Sequence, residues 1–297
     1  METKDVVIIG AGPAGIATAI QLKRYDIEFV LLEQEEIGGV LRNANLVENY
    51  PGFPWGISGL DLVKLFKKQL KENKISTIIE RVRELEYKDK EFLAKTDQKV
   101  IRSTLAVIAT GTKPKGISSV PISDDIKDRI FYEVYPIRKL KKKRIAIIGA
   151  GDAALDYALT LSQKNEVMII NRSEQPKSVP VLAQRCMKSK TISYSGNLDV
   201  KKISNKGKKP VLTLTHKDTQ KESQVLADYL VIAIGREPCL DFLGPQLQRN
   251  FRNLMNAKIL YMVGDIKNRI YRQTAICAGD GVKAAMQIHR RLRSENK

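Results

Sequence analysis

Val6-Val7-Ile8-Ile9-Gly10-Ala11-Gly12-Pro13-Ala14-Gly15 is the stretch on which the fold turns. A run of β-favouring residues meets the glycine spacing GxGxxG, and a helical period follows. There the first glycine permits a tight turn, the second lets the backbone approach a pyrophosphate, and the third small residue lets helix close on strand. Unpaired N–H groups at the helix start then face the phosphates. The arrangement recurs at Ile145-Ala146-Ile147-Ile148 followed by Gly149-Ala150-Gly151-Asp152-Ala153-Ala154. Two such fingerprints imply an α/β protein with two Rossmann-like domains and an electron path between two bound nucleotides.

Working outward, the helix after Gly12 is expected over about 13–25. A second strand at 28–32 ends in Glu33, 18 residues past Gly15, where such folds place an acid on the adenosine ribose. Leu60, Leu62, Val63, Leu65, Phe66 and Leu70 approach a 3.6 period and predict a helix over about 58–73. Short strands around 76–87 and 91–109 close at Ala109-Thr110-Gly111, and Lys113-Pro114-Lys115-Gly116 reads as a linker. From about 144 the scheme repeats, with a strand at 167–170 ending in Asn171-Arg172. The runs 211–215 and 225–226 suggest a hairpin or meander. Tyr229 to Arg236 repeats the Ala-Thr-Gly strand, and Glu237-Pro238 reads as a second linker. The 59 residues that follow make a poor independent core, so they are expected to return to the first unit. A strand and turn at 259–265 and a helix at 274–292 would rejoin it. The expected division is therefore 1–116 with 239–297, and 117–238 inserted.

At 297 residues the chain has the length of two ordinary domains. Its first strand begins almost at once, so no signal peptide is expected. No segment nears the roughly 20 apolar residues of a membrane span. Cys186, Cys239 and Cys277 are scattered, with no metal-ligand or CxxC spacing, so a reducing, cytoplasmic setting and no bound metal are expected. The net charge of +18 is uneven: +2 over 1–116, +9 over 117–238 and +7 over 239–297. Such a field suits an acidic protein, an anionic small molecule or non-specific nucleic-acid contact, and equally a solvated lysine-rich surface.

With these residues on the page, the chain resembles the small flavoprotein reductases of the thioredoxin reductase superfamily. The resemblance runs through nearly all of the chain. Its most specific parts are the first fingerprint with Glu33, Glu48-Asn49-Tyr50-Pro51-Gly52-Phe53, Ala109-Thr110-Gly111, Gly264-Asp265, Tyr271-Arg272-Gln273 and Ala278-Gly279-Asp280-Gly281. It implies FAD on the first fingerprint, through Gly10, Gly12, Pro13, Ala14, Gly15, Glu33, Gly39, Ala109, Thr110 and Gly111. Asp265, after Gly264, would hold the ribityl hydroxyls, and Asn49, Arg272 and Gln273 would lie near the flavin ring. The helix from Thr274 would point its positive end at the ring and favour an anionic reduced flavin. NAD(P)H would lie on the second fingerprint, through Gly149, Gly151, Asp152, Ala153 and Ala154, with Asn171, Arg172, Lys177, Gly235 and Arg236. Asn171 in place of an acid, with Arg172 and Lys177 following, favours NADPH over NADH, although one arginine of the family's pair is replaced by Ser173. A homodimer is implied by the same resemblance.

The chain departs from thioredoxin reductases where they carry a redox CxxC. Tyr132 and Tyr135 stand at those places, and tyrosine exchanges no disulfide. That substitution, with Gly151-Asp152-Ala153-Ala154-Leu155-Asp156, looks more like the ferredoxin–NADP reductases of the same superfamily, which pass electrons to an external carrier. Tyr135 is a candidate stacking residue, and both tyrosines are equally candidate core aromatics. Cys277, in the first turn of the flavin-facing helix, is either a dipole-stabilised thiolate or a small packed residue. Cys186 falls in an expected loop. The basic run Arg138 to Arg144 follows the CxxC-replacing segment, so it is expected to border the electron exit. Three functions follow: transfer to an acidic carrier such as ferredoxin or flavodoxin, thioredoxin reductase-like action on a disulfide, or a flavin-binding redox sensor without turnover.

Overall fold

The computed structural model describes residues 2–117 and 120–295. β1 (Glu2–Ile9) runs through the glycine turn into α1 (Pro13–Arg24), whose first position is a proline, tolerated there because that N–H has no helical partner. β2 (Phe29–Glu33) returns parallel to β1, pairing Val6 with Phe29 and Ile9 with Leu32. Ser58 caps α2 (Gly59–Glu72) by accepting the Asp61 N–H, and α2 buries Leu62, Val63 and Leu70. β3 (Thr77–Ile79), β4 (Glu84–Lys88), β5 (Glu91–Lys95) and β6 (Val100–Ile108) follow. After β7 (Thr112–Pro114) come β8 (Ile130–Phe131), β9 (Arg144–Ile148), α3 (Asp152–Ser162) and β10 (Glu166–Ile170). Next are α4 (Pro180–Lys188), β11 (Ile192–Ser195), β12 (Leu198–Lys206), β13 (Lys209–His216), β14 (Glu222–Leu226) and β15 (Tyr229–Ile232). β16 (Arg236–Pro238), α5 (Pro245–Asn256), β17 (Leu260–Met262) and α6 (Thr274–Glu295) complete the order.

These elements form two units. The first comprises Met1–Arg42, Val47–Lys113 and Glu237–Lys297; the second comprises Asn43–Leu46 and Pro114–Arg236. In the first, the strand order is β3-β2-β1-β6-β5-β4. β6 pairs in parallel with β1 from Ile101 to Ile108; on its other edge its start runs antiparallel to β5 and its end pairs in parallel with β17 from the tail. Apolar side chains fill both faces of this sheet. Ile8, Leu31 and Val107 pack with α1 and α6 on one side; Ile108, Leu85 and Phe92 pack with α5 on the other. In the second unit a parallel sheet, β11-β10-β9-β15-β8, is joined by the antiparallel meander β12-β13-β14.

Two local expectations are corrected, and the two presumed linkers are partly strand: Lys113-Pro114 falls in β7 and Glu237-Pro238 in β16, and these two strands pair with one another. Cys186 lies in α4 and is buried, because Cys186 and Leu182 turn inward at helical spacing. α5 was not anticipated between 239 and 259; its sequence is mostly polar, and Leu247 and Leu254 supply the buried face. Among the described residues no helix is long and apolar enough to cross a membrane.

Candidate functional site: two glycine cradles

Both fingerprints form the same device. Gly10 has φ +107°, and a Cβ there would collide with the Ala109 carbonyl at the end of β6. Gly149 has φ +115°, and a Cβ there would collide with the Ala233 carbonyl just past β15. Each glycine turn is laced to its sheet: Gly10 N–H donates to Leu32 O at 2.8 Å, and Gly149 N–H to Ile170 O at 2.9 Å. In each, the second glycine leaves room beside the helix start. A Cβ on Gly12 would meet nothing within 4 Å, and one on Gly151 nothing nearer than Lys177 O at 3.9 Å. Both cradles therefore fit a dinucleotide pyrophosphate, with the N–H groups at the starts of α1 and α3 facing it.

In the first unit, Ala14 and Gly15 are buried in α1 behind Pro13. Glu33 accepts the Ala11 N–H at 2.8 Å through Oε2 and the Glu35 N–H at 3.2 Å through Oε1, so the acid at the end of β2 also braces the glycine turn. Gly38 N–H donates to Ala11 O at 2.8 Å, laying Gly39 against Gly12. Thr110 Oγ1 donates to Cys239 O at 2.8 Å beside Gly111. Asn49 and Gln273, far apart in sequence, meet at 2.8 Å, Asn49 Nδ2 donating to Gln273 Oε1. Arg272, next to Gln273, is half-buried ahead of Thr274, which opens α6.

Cys277 donates from Sγ to Asp265 Oδ1 at 3.2 Å. Burial, then the Asp265 charge, holds that thiol far above its ordinary range. Of the two readings of Cys277, this favours the small packed residue over the thiolate, because an adjacent carboxylate and a lost solvent shell oppose the charge. The other cysteines are also kept as thiols. Burial, with Asp156 nearby, lifts Cys186 to about 11, and burial with Asp241 nearby raises Cys239.

The second cradle is held by its polar residues more than it is lined by them. Lys177 N–H donates to Ala150 O at 2.9 Å, and Asp152, ahead of Ala153 and Ala154, accepts the Val179 N–H at 2.8 Å. The 177–179 segment is thereby tied to the glycine turn. Asn171 is buried, and its Nδ2 donates to Ser173 O, Gln175 O and Tyr194 OH, pinning the turn after β10. Arg236, after Gly235, pairs with Glu133 at 2.9 Å and is 15% exposed. Arg172 and the Lys177 side chain are exposed and make no side-chain hydrogen bond or ion pair with the described residues.

Tyr132 packs against the apolar cluster of Ile126, Ile148 and Leu230. Tyr135 carries the Arg138 guanidinium over its ring at 3.7 Å. Its N–H donates to Asn43 Oδ1 at 2.9 Å, while Asn43 Nδ2 donates to Glu133 at 3.0 Å. Asp156 accepts the Asn45 N–H at 2.8 Å. Burial lifts the Asp156 carboxyl to about 6, against the pull of the Asn45 and Leu46 N–H bonds and with a push from Asp152. Sequence reasoning passed over Glu133 and Asp156 as binding groups; the only signal was the four-residue spacing of Asp152 and Asp156 on one helix. Lys141 to Lys143 precede β9, Arg144 opens it, and Gly149 and Gly151 follow its end, so about 16 Å of strand separates the basic run from the second fingerprint.

The chain matches the family described as pyridine nucleotide-disulphide oxidoreductase over residues 4–281. It is 29% identical to NADPH-dependent thioredoxin reductase 3 of Arabidopsis thaliana over 99% of this chain, and spans 59% of that longer protein. It is 26% identical to the thioredoxin reductase of Borreliella burgdorferi, covering 96% of this chain and 91% of the relative. The crystal structure of T. acidophilum thioredoxin reductase superposes with a TM-score of 0.85 at 26% identity, over 98% of this chain and 99% of that one. The FR conformation of Lactococcus lactis thioredoxin reductase shares the fold, with a TM-score of 0.87 at 24% identity over 97% and 98%.

Proposed function

The chain belongs to the pyridine nucleotide-disulphide oxidoreductase family and is an FAD-dependent oxidoreductase using NADPH, and from that premise we propose that its electrons leave to an external carrier protein of the ferredoxin or flavodoxin kind. The observation that carries this reading is the state of the cysteines. All three are free, none is paired with another, and each has its thiol raised above the ordinary range. A thiol held protonated is a poor nucleophile for disulfide exchange.

On this reading the first unit is the FAD domain. The turn Gly10–Gly15 and the start of α1 hold the pyrophosphate, Glu33 the adenosine ribose, and Asp265 the ribityl chain. Asn49, Arg272 and Gln273 orient the ring. The second unit is the NADPH domain, with Gly149–Ala154 on the pyrophosphate and Arg172 and Lys177 on the 2′-phosphate. When bound, FAD supplies the exchange between hydride and single-electron traffic. No side-chain acid or base is required of the protein, whose work is to bind, orient and shield. The net charge of +18 suits an acidic carrier.

The relatives' names favour a second reading, reduction of a disulfide substrate such as thioredoxin. Cys239, half-buried, is the thiol with most access to it. One experiment separates the two. Under anaerobic conditions NADPH bleaches the flavin, and the reduced protein is offered ferredoxin, flavodoxin or thioredoxin before and after all three cysteines are alkylated. Carrier reduction that survives alkylation is expected. Thioredoxin reduction that alkylation abolishes would overturn the leading reading.

A further inference from the structure

The carboxylate of Asp280, in the second turn of α6, is the hub of a polar cluster in the first unit. Its Oδ1 receives Lys267 Nζ at 2.7 Å, and its Oδ2 receives Asn268 Nδ2 at 2.6 Å and the Gly264 N–H at 3.2 Å. Asn268 Nδ2 also donates to Gly264 O at 3.0 Å, and that carbonyl accepts the Lys267 N–H at 2.9 Å. Both polar groups of Gly264 are thus committed. Gly264 has φ +78°, and a Cβ on it would press on Ala14 at 2.8 Å, so the turn is wedged between the starts of α1 and α6.

Asp265 follows directly. Its Oδ1 is taken by the Cys277 thiol, and its Oδ2 makes no hydrogen bond among the described residues. The carboxylate is therefore held at one oxygen and open at the other, as an acceptor for a hydroxyl should be. Asp280 is itself only 12% exposed. Burial works against its charge, but the bonds from Lys267, Asn268 and Gly264 keep its carboxyl below the ordinary range.

We propose that Asp280 is a positioning residue for Asp265: it clamps the Gly264 turn so that the open Asp265 oxygen meets a polyhydroxyl chain, the ribityl portion of FAD. The inference rests on reading Asp265 as the ribityl acceptor. A group that merely stabilised α6 would leave this oxygen's placement to chance, whereas Asp280 ties the preceding peptide directly.

The test is a double-mutant cycle on flavin-free protein titrated with FAD, read by flavin fluorescence, with thermal unfolding of each apoprotein recorded beside it. Asp280→Ala should weaken FAD binding at least tenfold. Asp280→Asn, which keeps an acceptor for the Gly264 N–H, should weaken it about threefold. In an Asp265→Ala background, Asp280→Ala should add less than twofold. Unchanged FAD affinity in Asp280→Ala, or the same loss in both backgrounds, overturns the proposal. If Asp280→Ala yields no folded apoprotein, Asp280→Asn and Lys267→Met carry the same comparison. Full affinity in Asp265→Ala alone would overturn the ribityl reading itself, apart from any role of Asp280.

Discussion

The carboxylate of Asp156 accepts the backbone N–H of Asn45 at 2.8 Å, although the chain on both sides of residues 43–46 belongs to the other unit. The bond brings a charge into a buried place, and burial lifts the Asp156 carboxyl from 3.8 to about 6. Because the folded value is the higher one, the stability tied to this proton is full below the unfolded value and is lost as pH rises through about 6. Asp156→Asn keeps an acceptor oxygen and removes the charge. It should raise the stability of the second unit at pH 8 by up to about 3 kcal/mol and change it far less at pH 4. Thermal unfolding at the two pH values checks this; an equal shift at both would refute it.

Arg236 faces Glu133, so its loss should be felt in folding before binding. Arg236→Met takes the cationic partner from Glu133, which keeps the Asn43 amide, in a partly buried pair and should cost about 1–3 kcal/mol. NADPH affinity of the folded protein should stay within twofold. A tenfold fall measured by titration would return Arg236 to the nucleotide site.

Arg172 and Lys177 are the exposed cations beside the second cradle. If they read a 2′-phosphate as proposed, replacing both by Ala removes charge-assisted bonds worth about 1.5–3 kcal/mol each. NADPH binding should weaken at least tenfold while NADH binding barely moves. Equal loss for both nucleotides in parallel titrations would show that these residues shape the cradle and do not read the phosphate.

Lys141, Lys142 and Lys143 lie just ahead of β9, which opens at Arg144, at the end of the strand away from its glycines. Reversing all three to Glu should leave NADPH-to-dye activity unchanged. Reduction of an acidic carrier should slow severalfold at low salt, an effect that fades as the screening length shrinks to about 8 Å at physiological ionic strength. Stopped-flow rates across a salt series measure both. A salt-independent loss would mean that the run is structural.

The sequence by itself determined the two cradles, because their requirement is local. A left-handed turn, a close approach and a helix start are properties of neighbouring residues, so Gly10–Gly15 and Gly149–Ala154 announce themselves. The alternation of apolar strands and helical periods carried most of the parallel strands of both sheets for the same reason. The roles of the polar residues were decided only in three dimensions. Asn171 had the position of a nucleotide ligand, yet its amide is used by Ser173, Gln175 and Tyr194. Arg236 had the charge of one, yet Glu133 reaches it first. Cys277 had the helix dipole of a thiolate, yet Asp265 lies 3.2 Å away. A charged or polar side chain takes its chemistry from what folding packs beside it, and those partners come from distant parts of the chain.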